Sequence, residues 1–489
     1  MLPPPLRAAA VMPDLQAAEA ALEVQAGRAR VTAVVVAVAL FMQNLDSTVV
    51  TTALPAMAKS FNIDPIYMSV SVTSYLIALS MFIPASGWVA DRFGARQVFR
   101  LAIAVFSIGS FFCGMAPNLL VLVAARMLQG LGGAMMLPVG RLLLLRSVSR
   151  SQLVSAMTWV TMPALLGPML GPPLGGFIVS VASWRWIFDI NLPIGFVGAV
   201  AVSLVIPDMR EEGRGGQLDA LGLVFAGLAM GLLMAGMETV GRDLVSVFWS
   251  LLAFAGGGAA CAAYWRHARR AENPVLDFSL FKVETFRISV AAGSLFRIAV
   301  GALPFLLPLM LQLGFGKSPF QSGMITFAAA AGAILMKVMT APLLNRFGFR
   351  KVLIWNGVVA VSAMATTAAF SPDWPALLMC LVLFAAGFFR SLQFTAFNAI
   401  AYGDIARARM SAATTLYSTV QQLSLTMGVV AGAASLEAAN WLFRRASPAL
   451  LDYRAAFLTV SLIAMLSIPL CARLSKTAGE ALTSHPQVR

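Results

Sequence analysis

Long apolar runs recur along almost the whole chain, each long enough to cross a bilayer as a helix and each separated from the next by a polar link. A helix rises ~1.5 Å per residue, so ~20 apolar residues span the ~30 Å hydrocarbon core. The runs are 31–55, 67–90, 99–116, 119–141, 152–180, 190–206, 218–239, 246–265, 287–313, 320–344, 351–370, 375–401, 412–436 and 453–473, fourteen in all. Hydrophobic residues make up 59% of the 489 positions and charged residues only 11%. A soluble globular chain carries about 25% charge. No water-soluble fold hides this much apolar surface, so the solvent is lipid. A backbone in lipid must satisfy its own hydrogen bonds, and runs of this length do so as helices. The sequence therefore predicts an all-α membrane protein.

The net charge of +14 would point to nucleic acid in a soluble protein. Here it sorts across a membrane. With the N-terminus inside, 24 of the 35 Lys and Arg fall on the inner side, seven on the outer, and four within spans. Cytoplasmic links carry the basic excess in membrane proteins. An even number of spans puts both termini on that side, with 1–30 and 474–489 as cytoplasmic tails. Residues 1–30 lack the apolar core of a signal peptide. No nucleic-acid partner is expected; the partner is the lipid bilayer.

The chain repeats itself. DRFGARQV at 91–98 and NRFGFRKV at 345–352 share five of eight positions, 254 residues apart, and each follows a span that returns to the inside. Parallel repeats of this kind build transporters from two copies of one bundle. The offset fits a six-helix bundle at 31–206 and another at 287–473, with 207–286 a linker holding two extra spans.

Charge inside oil is the next signal. Asp46 sits in the second half of the first run and is the one acid placed deep in any run. Such a group costs about 2.5–3.5 kcal/mol on insertion scales and persists where it meets a partner or a wet cavity. The other spans are expected to build a cavity around it. Arg126 lies about one-third into its span, with Gln129 one turn further on the same face. An intramembrane cation near Asp46 favours release of its proton. Arg297, Lys337 and Arg390 lie inside three later spans with no acid at comparable depth. Unpaired cations in a central cavity bind anions, or they bond backbone carbonyls and line water. The four cysteines, Cys113, Cys261, Cys380 and Cys471, fall in or beside apolar runs and read as small hydrophobes. His267 and His485 are far apart in polar segments, and no metal constellation is visible.

Glycines and prolines mark two further segments. Gly87 and Gly94 flank Asp91, Arg92 and Arg96 at a tight inner turn. Its second copy carries Asn345, Arg346, Gly348 and Arg350. Asp91 can accept from Arg92, Arg96 or a neighbouring helix end and latch an inner gate; Asn345 makes the second latch weaker. GPMLGPPLGG at 167–176 cannot be an ordinary helix interior, because Pro168, Pro172 and Pro173 remove donors. Gly167, Gly171, Gly175 and Gly176 offer a small face for close helix contact. GKS at 316–318 lacks the first glycine of a phosphate loop, where Leu311 stands. With no nucleotide motif, energy is expected from an ion gradient and no cofactor is expected.

LDSTVVTTALP (45–55), GWVADRFGARQ (87–97), RMLQGLGGA (126–134) and GPMLGPPLGG (167–176) with WRWIFDINLPIG (184–195) follow in order. Together they resemble the major facilitator superfamily, in its fourteen-helix drug:proton antiporter branch of the EmrB/QacA type. MLPVGRLLLLRSVSRS (136–151) looks most like the bacterial MdtD/HsrA group. The chain departs from the pattern at Thr51, where Asn is usual, and at Ala95, where a basic residue is usual. The resemblance implies two pseudo-symmetric six-helix bundles plus two extra helices. It assigns Arg126 to proton coupling, the 87–97 loop to the inside gate, and the glycine–proline motif to antiport. It implies a multidrug-efflux antiporter of the bacterial inner membrane that exports a small-molecule substrate against protons. A periplasmic adaptor is left open. The later cations keep an organic anion or metal–carboxylate complex such as citrate as the alternative cargo. A membrane enzyme or sensor would need a catalytic dyad or a soluble output domain, and neither is seen.

Overall fold

In a computed structural model the described residues are 31–482, apart from 51–52, 55, 64, 149–155, 159–166, 168–169, 172–173, 208–218, 240–246, 318 and 443–448. The helices are α1 Val31–Val50, α2 Pro65–Phe82, α3 Ser86–Phe93, α4 Ala95–Met115, α5 Leu119–Ser147 and α6 Trp186–Val205. They continue with α7 Ala220–Thr239, α8 Val247–Ala268, α9 Glu284–Leu309, α10 Pro319–Phe347 and α11 Phe349–Ala365. The last are α12 Ala376–Ile400, α13 Met410–Leu442 and α14 Leu450–Ala472. A 3₁₀ turn at Ile83–Ala85 joins α2 to α3, so these two form one span, Val70–Phe93.

Eleven stretches among the described residues are both long and apolar enough to cross a membrane. α8 and α13 are also of spanning length but lie outside that set. Most of the expected run 152–180 falls outside the described residues, so a count of fourteen is not established.

Local chemistry places the breaks. Gly94 has φ 87° and Gly348 has φ 75°, backbone that a side chain would strain, and each starts a new helix after a tight turn. Asn118 opens α5 by accepting from the Val121 N–H at 3.0 Å. Pro138, Pro304, Pro308 and Pro342 sit inside helices, which neighbouring helices tolerate in a bilayer.

The helices pack as two groups. In the first, α4 lies on α5 and α6, and α5 lies on α2. In the second, α9 lies on α13 and α14, and α12 on α10 and α11. Glycines let the backbones meet: a Cβ on Gly109 would stand 2.7 Å from the Gln129 nitrogen, and one on Gly132 2.5 Å from that of Phe106. Gly332 and Gly387 do the same between α10 and α12. In lipid, helices associate through such close packing rather than by a hydrophobic drive. α7 and α8 pack on each other, and α7 also on α2 and α13. His267 and Asp219 tie that pair at 2.5 Å. The groups meet along α13, which packs on α3 and α5.

Candidate functional site

Asp46 is 1% exposed and sits inside the first helix group. Two helices, α5 and α6, reach it from beside its own. Arg126 of α5 forms a salt bridge at 2.6 Å through Nη1 to Oδ2. Gln129, one turn along α5, donates to Oδ1 at 2.9 Å. Asn191, near the start of α6, also donates to Oδ1 at 2.9 Å, and to Ser110 of α4 at 3.0 Å. Arg126 in turn donates through Nε to the Ser71 carbonyl at 3.1 Å and through Nη1 to Gln129 Oε1 at 2.6 Å. Its guanidinium lies 4.4 Å from the Tyr75 ring centroid.

Asp46 is enclosed by side chains, with the neutral amides of Gln129 and Asn191 donating to its carboxylate beside Arg126. The chemistry is that of a charge switch. The carboxylate is held by one cation and two amide donors, and each of these bonds needs its negative charge or its lone pairs. A proton on Asp46 would leave Arg126 a buried cation without a counter-charge, the costly half of a broken pair. Through these bonds the cluster ties together five helices, α1, α2, α4, α5 and α6.

The 87–97 loop is held by both groups. Asp91 accepts from Arg146 at the end of α5, at 3.1 Å. Arg96 donates to the Ser203 carbonyl near the end of α6. Arg92 is exposed. A Cβ on Gly87 would stand 2.5 Å from Thr415 Oγ1 of α13, so the glycine admits the second group here. Ser411 donates to the Gly87 carbonyl at 3.0 Å, and Ser86 pairs with Thr415 at 3.1 Å. Arg141 of α5, 5% exposed, continues the seam. It donates to Gln421 at 2.9 Å and to Ser418 at 3.4 Å. In the second loop Arg350 donates to the Ala472 carbonyl at 2.9 Å, and Arg346 lies over Phe347. Asn345 is half-buried.

Outside the membrane spans, Arg409 meets Asp277 at 2.7 Å beside the same end of α13. Burial raises the Asp277 carboxyl, but bonds from Ser279 and Arg409 outweigh that and hold it below its ordinary value.

In the 167–176 motif, Gly167 and Gly171 lie against α1. Cβ atoms there would strike Asn44 at 2.7 Å and Thr48 at 2.1 Å, and Thr48 donates to the Gly167 carbonyl. Gly175 is buried and Gly176 exposed. Pro168, Pro172 and Pro173 lie outside the described residues.

The three later cations separate. Arg297, 1% exposed, donates to Asn398 at 3.1 Å and to the Tyr417 hydroxyl, with the Phe394 and Tyr417 rings against its guanidinium. It is a partnered group and braces α9, α12 and α13. Buried Lys337 of α10 donates to Thr395 of α12. Half-buried Arg390 makes no hydrogen bond or ion pair with a described residue.

Comparison with known proteins gives the family and the fold. The sequence profile of the Major Facilitator Superfamily matches residues 36–283 and 289–487. The chain belongs to the major facilitator superfamily. A Salmonella heidelberg relative named "Putative multidrug resistance protein MdtD" is 41% identical over 399 residues, 81% of this chain and 84% of that one. A relative of the same name from Serratia proteamaculans is 40% identical over 403 residues, 81% and 82% of the two chains. Among solved structures, the human organic anion transporter MFSD10 matches with a TM-score of 0.67 and 15% identity, over 91% of this chain and 99% of its own. The proton:xylose symporter XylE matches with 0.64 and 14%, over 93% and 98%. These two share the fold. Family membership makes the chain a multi-pass membrane transporter.

Within this major facilitator chain, several partners escape a search of the sequence for charge. Asn191 is a neutral amide in an apolar phrase, INLPIG. Arg141 and Arg146 read as loop charge near a span end, yet one bridges the two groups and the other holds Asp91. Tyr417 and Asn398 satisfy Arg297 without an acid. A hydroxyl-rich face on α13, recurring at 411, 415 and 418, was the available signal for the seam.

Proposed function

We propose that the protein is a proton-coupled antiporter that exports small organic compounds across the bacterial inner membrane by alternating access. The single observation behind this is the buried Asp46–Arg126 pair, with Gln129 and Asn191 on the same carboxylate. Asp46 is the group that carries the proton. Arg126 favours its release, and the loosened and tightened states of the cluster bias the first bundle between two positions. Residues 31–206 and 287–473 are the two moving bundles, 207–286 the linker, and 1–30 and 474–489 cytoplasmic tails. The seam of α13 against α3 and α5 is the cytoplasmic gate. Asp91–Arg146 and the Arg96 and Arg350 tethers hold each loop in place. The proton gradient supplies the energy and no cofactor takes part.

The test is transport in proteoliposomes under an imposed pH gradient, with ethidium and citrate as probes. Asp46→Asn should abolish gradient-driven movement of whichever probe is carried. Undiminished exchange in that variant would remove Asp46 from the mechanism.

A second reading names an organic anion, such as citrate or its metal complex, as cargo. It is favoured by Arg390, which no described residue neutralises, and by Lys337, whose amine reaches Thr395, five residues beyond Arg390 on the same helix. Acids in the helices from α9 onward stand only near their ends, at Glu284, Glu437 and Asp452. Arg390→Ala should then weaken citrate binding without altering ethidium handling. Citrate handled equally by both proteins excludes this reading.

A further inference from the structure

Below the Asp46 cluster lies a second tier of polar groups that the proton chemistry above leaves unused. Three helices each supply one residue to both tiers. α1 gives Asp46 and Gln43, α2 gives Ser71 and Tyr75, and α5 gives Arg126 and Gly133, all at helical same-face spacing. The upper tier is closed by the Arg126 bonds to Asp46 and Ser71. The lower tier converges on a notch. A Cβ at Gly133 would stand 3.1 Å from the Tyr75 hydroxyl and 3.4 Å from Gln43 Nε2. The Tyr75 ring joins the tiers, with the Arg126 guanidinium on its face and its hydroxyl in the notch.

Three buried atoms in the two tiers and on Asn191 beside them have no protein partner among the described residues, Asn191 Oδ1, Arg126 Nη2 and Gln43 Oε1, and the Tyr75 hydroxyl has only Gln43 beside it. Tyr75 is 1% exposed. Buried polar atoms are paired, with protein or with ordered water, in the great majority of cases. Unpaired buried polar atoms on the side chains in and beside the two tiers mark a place for water. Gln43 is half-buried and gives the column an accessible end. The charged and titratable groups around Asp46 are Arg126 from α5, Tyr75 from α2 and Cys113 from α4; α6 offers the neutral Asn191.

We propose that Gln43, Tyr75 and the notch at Gly133 hold water and form an inner arm of the Asp46 site, through which its proton moves toward mid-membrane. The proposal rests on Asp46 being the proton carrier. In the transfer, the O–H bond of protonated Asp46 breaks and the proton passes to a water. The Tyr75 hydroxyl takes a proton from that water as its own leaves to a second water beside Gln43. Tyr75 ends neutral, and one proton has advanced. Gln43 Oε1 accepts from the second water and orients it. Tyr75 and Gln43 are positioning residues for this step.

The first test needs no substrate. Full-length protein in lipid nanodiscs is exposed to a millisecond X-ray pulse, which makes hydroxyl radicals from bound water in place. Tyr75 should be modified about tenfold faster than Phe99, which is equally buried among apolar groups, because water at hydrogen-bond distance is the radical source. Gly133→Ala fills the notch against the tips of flexible side chains and should bring Tyr75 down to the Phe99 rate. Equal rates in the wild type overturn the proposal. The second test follows the carboxyl infrared band of Asp46, assigned by its loss in Asp46→Asn, after a pH jump. Tyr75→Phe should slow its proton loss about tenfold with the midpoint pH unchanged, since only the route is altered. An unchanged rate also overturns the proposal. If the wild type shows no titrating band, the proton-carrier reading fails, and the radical labelling still decides whether the notch holds water.

Discussion

The two halves of the protein share a frame and differ in charge. Gly94 and Gly348 turn their loops with the same positive φ, and Arg96 and Arg350 each reach a carbonyl near the end of the last helix of their own half. Cations at helix C-termini complement the helix dipole, so these tethers suit their sites in both copies. In the first half a carboxylate and a guanidinium neutralise one another inside the bundle. The second half holds Arg297, Lys337 and Arg390 with no acid at their depth. Gln43 precedes Arg297 by 254 residues, the same offset as between the gate loops. One scaffold thus carries an amide at a position where its copy carries a cation. Backbone shape is repeated, and the polar chemistry is what each half was free to vary. On the proposed function, the first half handles the proton and the second faces the cargo.

That division is open to attack, most strongly at Asp46. Asp46→Asn should reduce gradient-driven transport to background in proteoliposomes, while the reverse isosteric change in the second half, Asn398→Asp, leaves it measurable. Next in size, Arg126→Ala should cost about 3–5 kcal/mol, because it strands a buried carboxylate; thermal unfolding in detergent measures it. Within the second half, Arg297→Ala should cost about 1–3 kcal/mol through its lost charged hydrogen bonds. Arg390→Ala should change stability by less than about 0.5 kcal/mol, since it removes no protein partner. Equal losses at the two sites would show that the second half also uses Arg390 as a brace. Asp91→Asn should cost about 1 kcal/mol or less, as a partly exposed pair.

The smallest expected effect lies in the polar links. Bonds from Ser279 and Arg409 hold the folded Asp277 carboxyl below its ordinary value of 3.8. A depressed carboxylate contributes stability that is complete above the unfolded value and fades as pH falls through the folded one. Acid titration of unfolding should therefore show a loss beginning below about 3.8, and Arg409→Ala should flatten it.

The spans were legible because lipid imposes length and apolarity, and the repeat because its turn demands glycine at one position. The Asp46–Arg126–Gln129 grouping was legible because a charge in oil must find a partner. Asn191 was hidden because a buried amide carries no such obligation on its face. Arg297 looked unpaired because a search for acids overlooks Tyr417 and Asn398. Arg141 was hidden by its position, since a basic residue near a span end is explained by topology alone. Each omission concerns a neutral partner or a charge with two explanations.

The α13 seam has a bearing on the work of opening. Ser411, Thr415, Ser418 and Gln421 meet the first half through hydroxyls and an amide, set beside apolar contacts such as Leu416 and Ile83. When such a zip parts, each group exchanges one polar neighbour for water at a net change of only about 0.5–1.5 kcal/mol. If the seam opens and closes as proposed, these polar groups add little to the work of each stroke, and it is the apolar contacts beside them that set how firmly it shuts.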